Sequence, residues 1–260
     1  MRGFGNTQRA WVSLMTLIGA LLLWFVATGP AGWVTSITFP TPAQTWDSFV
    51  QICTTGYAGG RLDQHIEQSV KLVLLGFFSA TIIGAPLGLW MGCSRRAEAY
   101  FNPVFTLIRP IPPLAWIPLA IVWLGLGAAA KVMVIWMAAF VPVVISSYAG
   151  VRSIEPQLIE AAEMLGVRGS RFAWEVMIPG ALPMIFTGLR LSLQAAWTTL
   201  VAGELIGAVR GLGHVLTQGS LDIYPSMILV AMLAVALCGW VMTWALGWLE
   251  RRAMPWRAKS

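Results

Sequence analysis

The sequence predicts an all-α membrane protein with six transmembrane helices. Three observations carry that expectation: the chain is too poor in charge to face water, its apolar residues gather in stretches of spanning length, and its basic residues favour alternate connections. Of its 260 residues, 57% are apolar and 11% charged, whereas a soluble domain averages about 25% charged residues. Spanning a bilayer takes about 20 mostly apolar residues. Six stretches qualify: 11–28, 70–93, 104–126, 132–151, 182–208 and 224–249. The interruptions are short, so residues 1–260 read as a single transmembrane domain with no soluble domain attached.

Residues 11–28 follow Arg2 and Arg9, as the core of a secretory signal would. The stretch is longer than the usual core of about 7–15 residues, and reads as a retained first helix. It is apolar all round, unlike a surface anchor. The following segment, 29–66, contains Pro30, Pro40 and Pro42 and reads as an extended cap on the outer face. In the second stretch Gly84, Gly88 and Gly92 recur every four residues, which places them on one helix face and permits close approach of another helix. Pro86 in the same stretch should kink it.

The third stretch opens with Arg109, Pro110, Ile111, Pro112 and Pro113, followed by Trp116 and Pro118. Such a run cannot be a regular helix. It reads as an interfacial elbow, as a bent segment lining a path, or as both, because irregular backbone at membrane depth needs protein or a water-filled cavity around it. In the fifth stretch Arg190 and Glu204 lie about four turns apart, too far to pair with each other. Glu204 would meet Arg210 or a neighbouring helix. Lys71 lies near a span end and would snorkel. Intramembrane charges mark pathways or structural pairs, and both readings stay open for Arg190 and Glu204.

The connection 152–181 combines a candidate N-cap, Ser153, with Glu155 in a first turn suited to the helix dipole. Ile154, Leu158, Ala162 and Leu165 form an apolar stripe at helical spacing. Gly166 can stop this helix, Ser170 can cap a second short one, and Pro179 would end it. An exposed apolar stripe usually meets a partner.

Glu160, Ala161, Ala162, Gly166, Val176, Ile178 and Pro179 resemble the EAA loop of ABC importer permeases, with Val176 and Ile178 replacing the preferred Ile and Leu. "RPIPPLAWIPLAIVWLGLG" at 109–127, "IPGALPMIFTGLRLSL" at 178–193 and "GELIGAVRGLG" at 203–213 look like the taurine, sulfonate and nitrate branch, and "RRAMPW" at 251–256 is similar to its taurine members. The resemblance runs from about residue 65 to the end. It implies the type I importer permease fold, with residues 65–250 as the core and 152–181 as a cytoplasmic coupling loop. In that family Glu160, Ala161, Ala162, Gly166 and Pro179 would dock on a separate ATPase, which would hold the ATP and Mg. The other implied partners are an external solute-binding protein and a second permease subunit. The small-residue faces favour a homodimer. The implied solute is taurine or a related sulfonate, with nitrate or another small organic acid as the alternative. Arg109, Pro112, Trp116, Arg190 and Glu204 are the candidate path residues. Arg109 leads, because it precedes the proline-broken entry to the third span, where exposed backbone could line a cavity, and its planar fork can donate two hydrogen bonds to a sulfonate; the competing reading makes it an anchor at the inner interface.

The residues argue against other classes. No internal repeat marks a secondary transporter. No span holds a histidine, G-x-S-x-G is absent, and so is the Gly-rich loop ending in Gly-Lys-Ser/Thr that binds nucleotide phosphates. Cys53, Cys93 and Cys238 lie far apart, as do His65 and His214, without metal-ligand spacing. The net charge of +6 sits at membrane borders rather than on a nucleic-acid-binding face.

Arg2, Arg9, Arg95, Arg96, Arg152, Arg168, Arg171, Arg251, Arg252, Arg257 and Lys259 fall on one set of borders, against Arg61, Lys131 and Arg210 on the other. The positive-inside rule then makes both termini cytoplasmic. Reporter fusions after residue 5, within 95–98 and after 257 are expected to read cytoplasm, and those near 57 and 129 the outside. A cytoplasmic signal at 57 overturns the six-span topology.

Overall fold

The computed structural model describes residues 6–29, 35, 38–167, 169–204 and 207–256. Arg2, Pro30, Arg168, Arg257 and Lys259, named above, lie outside them. Among the described residues the chain is helical: α1 Asn6–Thr28, α2 Pro42–Thr54, α3 Leu62–Cys93, α4 Arg95–Ile108, a 3-10 turn Pro113–Trp116, α5 Ile117–Leu124, α6 Ala128–Arg152 and α7 Pro156–Met164. Then come α8 Ser170–Phe172, a π-turn Ala173–Met177, α9 Ile178–Glu204, α10 Leu212–Leu221 and α11 Pro225–Ala253.

Five helical runs are long and apolar enough to cross a membrane: α1, α3, α6, the run Ala173–Glu204, and α11. The sixth is composite. α4 and the segment Pro113–Leu124 meet at an 85° bend, so the expected single span 104–126 is an elbow with its own first helix. The cause is local: Pro110, Pro112 and Pro113 remove backbone donors and forbid helical continuation, and Arg109 closes α4 by donating its amide to Phe105 O at 2.9 Å. Pro86 lies inside α3 without ending it.

The segment 29–66 is not an extended cap. It contains α2, whose start is encoded by Thr41-Pro42-Ala43-Gln44. Thr41 Oγ1 accepts the Gln44 amide at 3.3 Å, and Gln44 Oε1 accepts the Thr41 amide at 3.0 Å. This reciprocal cap, with Pro42 at the first helical position, is a strong helix start. Ser48 of α2 donates to Ser226 Oγ at 2.7 Å, joining α2 to α11.

α6 is the central helix, packed along α3 on one side and α9 on the other. Glycines set these approaches. A side chain at Gly88 would collide with Val144 O and with Ser147 Cβ at 2.7 Å, and one at Gly92 would meet Val151 Cβ at 2.6 Å. The Gly84–Gly88–Gly92 face is therefore occupied by α6 of the same chain, so it gives no support to self-association. On the other side Gly150 faces Ala181 O, and Gly188 lies against Ser146 and Pro142 O. Ser192 Oγ, fully buried, donates to Ala139 O. One core cluster runs from Ile52 to Met254. A smaller one, Ile117, Ala120, Ala130 and Val134, joins α5 to α6. α1 is exposed along most of its length and is tied by Trp24 Nε1, which donates to Pro40 O at 2.9 Å.

Gly88→Ala is expected to lower stability by about 3 kcal/mol, the upper end of overpacking costs, because backbone opposes the new methyl. Gly84→Ala meets only side-chain carbons at 3.2–3.4 Å and should cost less than about 1 kcal/mol. Thermal unfolding of the two variants in detergent compares them; equal melting temperatures would refute this account of the α3–α6 contact.

Candidate coupling surface and translocation path

α7 starts later than the sequence suggests. Ser153 closes α6, donating its amide to Ala149 O at 2.9 Å. Glu155 is the N-cap and Pro156 the first helical residue. Proline's fixed φ sets this start, and the phase of the helix follows from it. The predicted stripe accordingly splits. Ala162 is buried, and Ile154 is half-buried, its side chain packed where a Cβ on Gly180 would stand 3.1 Å away. Leu158, Met164 and Leu165 turn outward at 50%, 89% and 82% exposure, and Trp174 nearby is 71% exposed. Glu160 and Ala161 are also exposed. The outward surface is thus apolar with an acidic border, in a different register from the one predicted.

Gly166 ends the helix as expected. Its φ is +77°. The Gly166 amide donates to Glu163 O and the Val167 amide to Ala162 O, both at 3.0 Å. This is the paired closure of a Schellman motif, in which glycine supplies the left-handed residue. Ala162 therefore packs inward and also accepts the closing bond. Pro179 does not end a second helix. α8 passes through the π-turn into α9, and Pro179 sits half-buried where the two join.

The predicted path residues are distributed rather than gathered. Arg109 caps α4 at the elbow and is exposed, with no ion-pair partner among the described residues. Pro112 is exposed beside it. Trp116 is half-buried against the Ile117–Ala130 cluster. Arg190 donates to the carboxylate of Glu250 on α11. Lys71 pairs with Glu67 at 2.5 Å on an exposed face, an arrangement of little energetic consequence. Lys131, assigned above to a connection, lies half-buried in the first turns of α6.

Glu204 is 1% exposed and does not meet Arg210, which donates to Gly59 O at 3.2 Å. Its carboxylate accepts Ser69 Oγ at 2.8 and 3.0 Å and the Gly213 amide at 2.8 Å. Ser69 Oγ in turn accepts the Leu212 amide at 2.9 Å, and His65 Nδ1 accepts the Gly211 amide at 3.1 Å. His65 Nε2 then carries the proton and donates to Tyr57 O at 3.0 Å. Three successive amides at the start of α10 are thus capped from α3 and α9. A helix N-terminus leaves such donors unsatisfied and favours negative charge. Gly211 and Gly213 leave room for this: a side chain at 211 would strike the Glu204 carboxylate, and one at 213 would stand 2.6 Å from Glu204 Cβ.

Tyr57 extends the cluster by donating to Asp222. Burial, and the Asp222 carboxylate that accepts its proton, push the phenol well above its ordinary pKa. Sequence reasoning missed Ser69 and His65, although their four-residue spacing on a polar helix start and the Gly-Leu-Gly at 211–213 were the available signal. It also missed Glu250. Among the described residues no group of three or more His, Cys, Asp or Glu could hold a metal ion.

Ser69→Ala is expected to cost about 1–3 kcal/mol, because it strands the buried Leu212 amide and two carboxylate contacts. Glu204→Ala should cost at least as much. Unchanged melting temperatures for both in detergent would dismiss this cluster as a clamp.

The binding-protein-dependent transport system inner membrane component family matches residues 84–255. The chain is 35% identical over 255 residues to the taurine transport system permease protein TauC of Escherichia coli (strain K12), covering 97% of this chain and 92% of the relative. It is 33% identical over 184 residues to the bicarbonate transport system permease protein CmpB of Synechococcus elongatus (strain ATCC 33912 / PCC 7942 / FACHB-805), covering 70% of this chain and 66% of the relative. In fold it is similar to the inward-facing MetNI methionine ABC transporter, with a TM-score of 0.65 at 19% identity, over 74% of this chain and 95% of that one.

Proposed function

Because the chain belongs to the binding-protein-dependent transport system inner membrane component family, we propose that it forms the translocation path for a small anionic solute, taurine or a related sulfonate, in an ATP-driven importer. Family membership makes it a multi-pass importer permease for small solutes, a transport subunit rather than an enzyme. The substrate reading is supported by the similarity to a taurine permease over nearly the whole chain. Similarity to a bicarbonate permease favours a second reading in which a simpler anion is carried.

The observation that carries the coupling role is the exposed surface of α7, where Leu158, Met164 and Leu165 turn outward beside Glu160. An apolar patch on a short helix outside the spans is a partner's docking surface, and an ATPase subunit fits it. That partner holds ATP and Mg. A solute-binding protein on the outer face and a second copy of the permease complete the assembly, in the inner membrane with both termini cytoplasmic. α7 follows α6 after three residues and leads through the π-turn into α9. Closure of the ATPases on nucleotide draws the two copies of α7 together and turns α6 and α9 with them. Differential contact in the two states supplies the bias.

Reconstitution with the ATPase and binding protein tests this through uptake of labelled taurine, an alkyl sulfonate, nitrate, bicarbonate and a neutral amine. ATP-dependent sulfonate uptake is expected. Gly166→Val is expected to abolish it while membrane insertion persists, because a β-branched residue resists the left-handed backbone there. Efficient amine uptake without sulfonate uptake overturns the substrate reading; normal transport by Gly166→Val overturns the coupling assignment.

A further inference from the structure

Thr187, Arg190, Gln194 and Thr198 follow one another on α9 at spacings of three, four and four residues, which sets them on one helix face. All four are exposed, although α9 belongs to a membrane-crossing run. Polar side chains within a bilayer face protein or a water-filled cavity rather than lipid. Both threonines satisfy themselves on their own helix, Thr187 Oγ1 at Pro183 O and Thr198 Oγ1 at Ala195 O, 2.9 and 3.0 Å away. Gln194 has no side-chain partner among the described residues, and Arg190 donates to Glu250 from one nitrogen.

This face opens on a cleft between α9 and α11 of about 260 Å³, lined by Arg190, Gln194, Trp197, Thr198, Gly239 and Thr243. The Arg190 guanidinium lies close over Gly247 to reach Glu250, and the Arg251 guanidinium approaches the same glycine as closely. The lining is mainly apolar, with Leu191, Leu193 and Val235 beside Trp197, whose indole N–H is taken by Met242 Sδ; Arg190 and Gln194 are its charged and amide groups, and Arg190 carries the ion pair with Glu250. Arg190 lines the cleft with its side chain 48% exposed, and Glu250, 16% exposed, is held against it outside the lining.

A cation already matched by a carboxylate is a poor receptor for a bare anion. The anion would take the guanidinium and strand Glu250, and an uncompensated charge in low dielectric is costly. A small zwitterion replaces both partners. Its sulfonate oxygens suit the planar donor fork of Arg190, and its ammonium can donate to Glu250. We propose that the Arg190–Glu250 pair is the charge-matching element of the translocation path and favours an amino sulfonate over simple anions. This rests on the reading that sulfonates are carried, and it replaces Arg109 with Arg190 as the arginine that meets them.

The test uses the permease assembled with its ATPase, in a background with Cys53, Cys93 and Cys238 replaced. Gln194→Cys is expected to react with a hydrophilic, membrane-impermeant thiol reagent, while Leu237→Cys, on the exposed apolar surface of α11, does not. Taurine is expected to protect Gln194→Cys at a concentration about tenfold below that needed by ethanesulfonate, which lacks the ammonium, since a charge-assisted hydrogen bond contributes about that factor. Adding Glu250→Gln should erase this preference; adding Arg190→Gln should weaken protection by both. An Arg190–Glu250 pair that merely tied α9 to α11 would shift both compounds equally. No labelling of Gln194→Cys overturns the proposal, as does equal protection by the two compounds, or a preference that survives Glu250→Gln. Uptake by the unmodified complex separates the two levels. If it moves no sulfonate, the proposed substrate falls. If it moves sulfonate but shows one of the other failures, only the charge-matching role falls.

Discussion

The close approach of α6 to α3 and α9 is the constraint on which the remaining structure depends. Within a bilayer, helices gain little from hiding apolar surface, so association relies on van der Waals contact and interhelical hydrogen bonds. This chain meets that requirement with glycine at the crossing points. Gly88 and Gly92 admit α6 against α3, and Gly150 and Gly188 admit α6 against α9. The backbones come near enough for Ser192 to reach Ala139 O. Three helices held this way act as one slab. The more weakly attached pieces, α1, the elbow and α11, are arranged around it.

The end of the slab away from α7 is closed by electrostatics rather than by apolar packing. α10 begins with amides that its own helix cannot satisfy, and they are buried among α3 and α9. His65, Ser69 and Glu204 accept them in sequence. The carboxylate retains its place in a buried site because it has several donors and a helix N-terminus beside it. One short helix thereby fastens α3 to α9 at the end away from α7, and the two glycines flanking Leu212 exist to let the carboxylate in.

Much of this was legible in the sequence, and the failures share a cause. Hydrophobic length located the spans, the proline run located the elbow, and Gly166 located the end of α7, because each depends on properties of adjacent residues. α2 was missed since Pro40 and Pro42 read as loop, although the Thr41–Gln44 pair is a helix start. The phase of α7 was missed because Ser153 and Pro156 both offered a beginning, and proline's fixed φ won. Arg190 could not be paired from sequence: Glu250 is 60 residues away, on a helix whose neighbours only the fold reveals. The glycine repeat in α3 was recognised as a packing face, but a pattern does not name its occupant, which is α6 of the same chain and not a second copy.

The position of the Arg190–Glu250 pair bears on how coupling and selection are related. α9 is continuous with the segment that leaves α7, so under the proposed coupling, force applied at α7 would reach Arg190 along a single helical run from Ala173. Glu250 belongs to α11, outside the glycine-packed slab, one turn before the end of that helix. In the proposed cycle a rocking of the slab would change the separation of the two charges directly. When they are together, each satisfies the other. When α9 and α11 part, both charges need new partners, and desolvation makes the parted state expensive when empty. A zwitterion between them offsets that cost in a way that water at a narrow cleft does less well and a lone anion cannot. In this arrangement the same pair would discriminate among solutes and discourage the conformational cycle when none is bound.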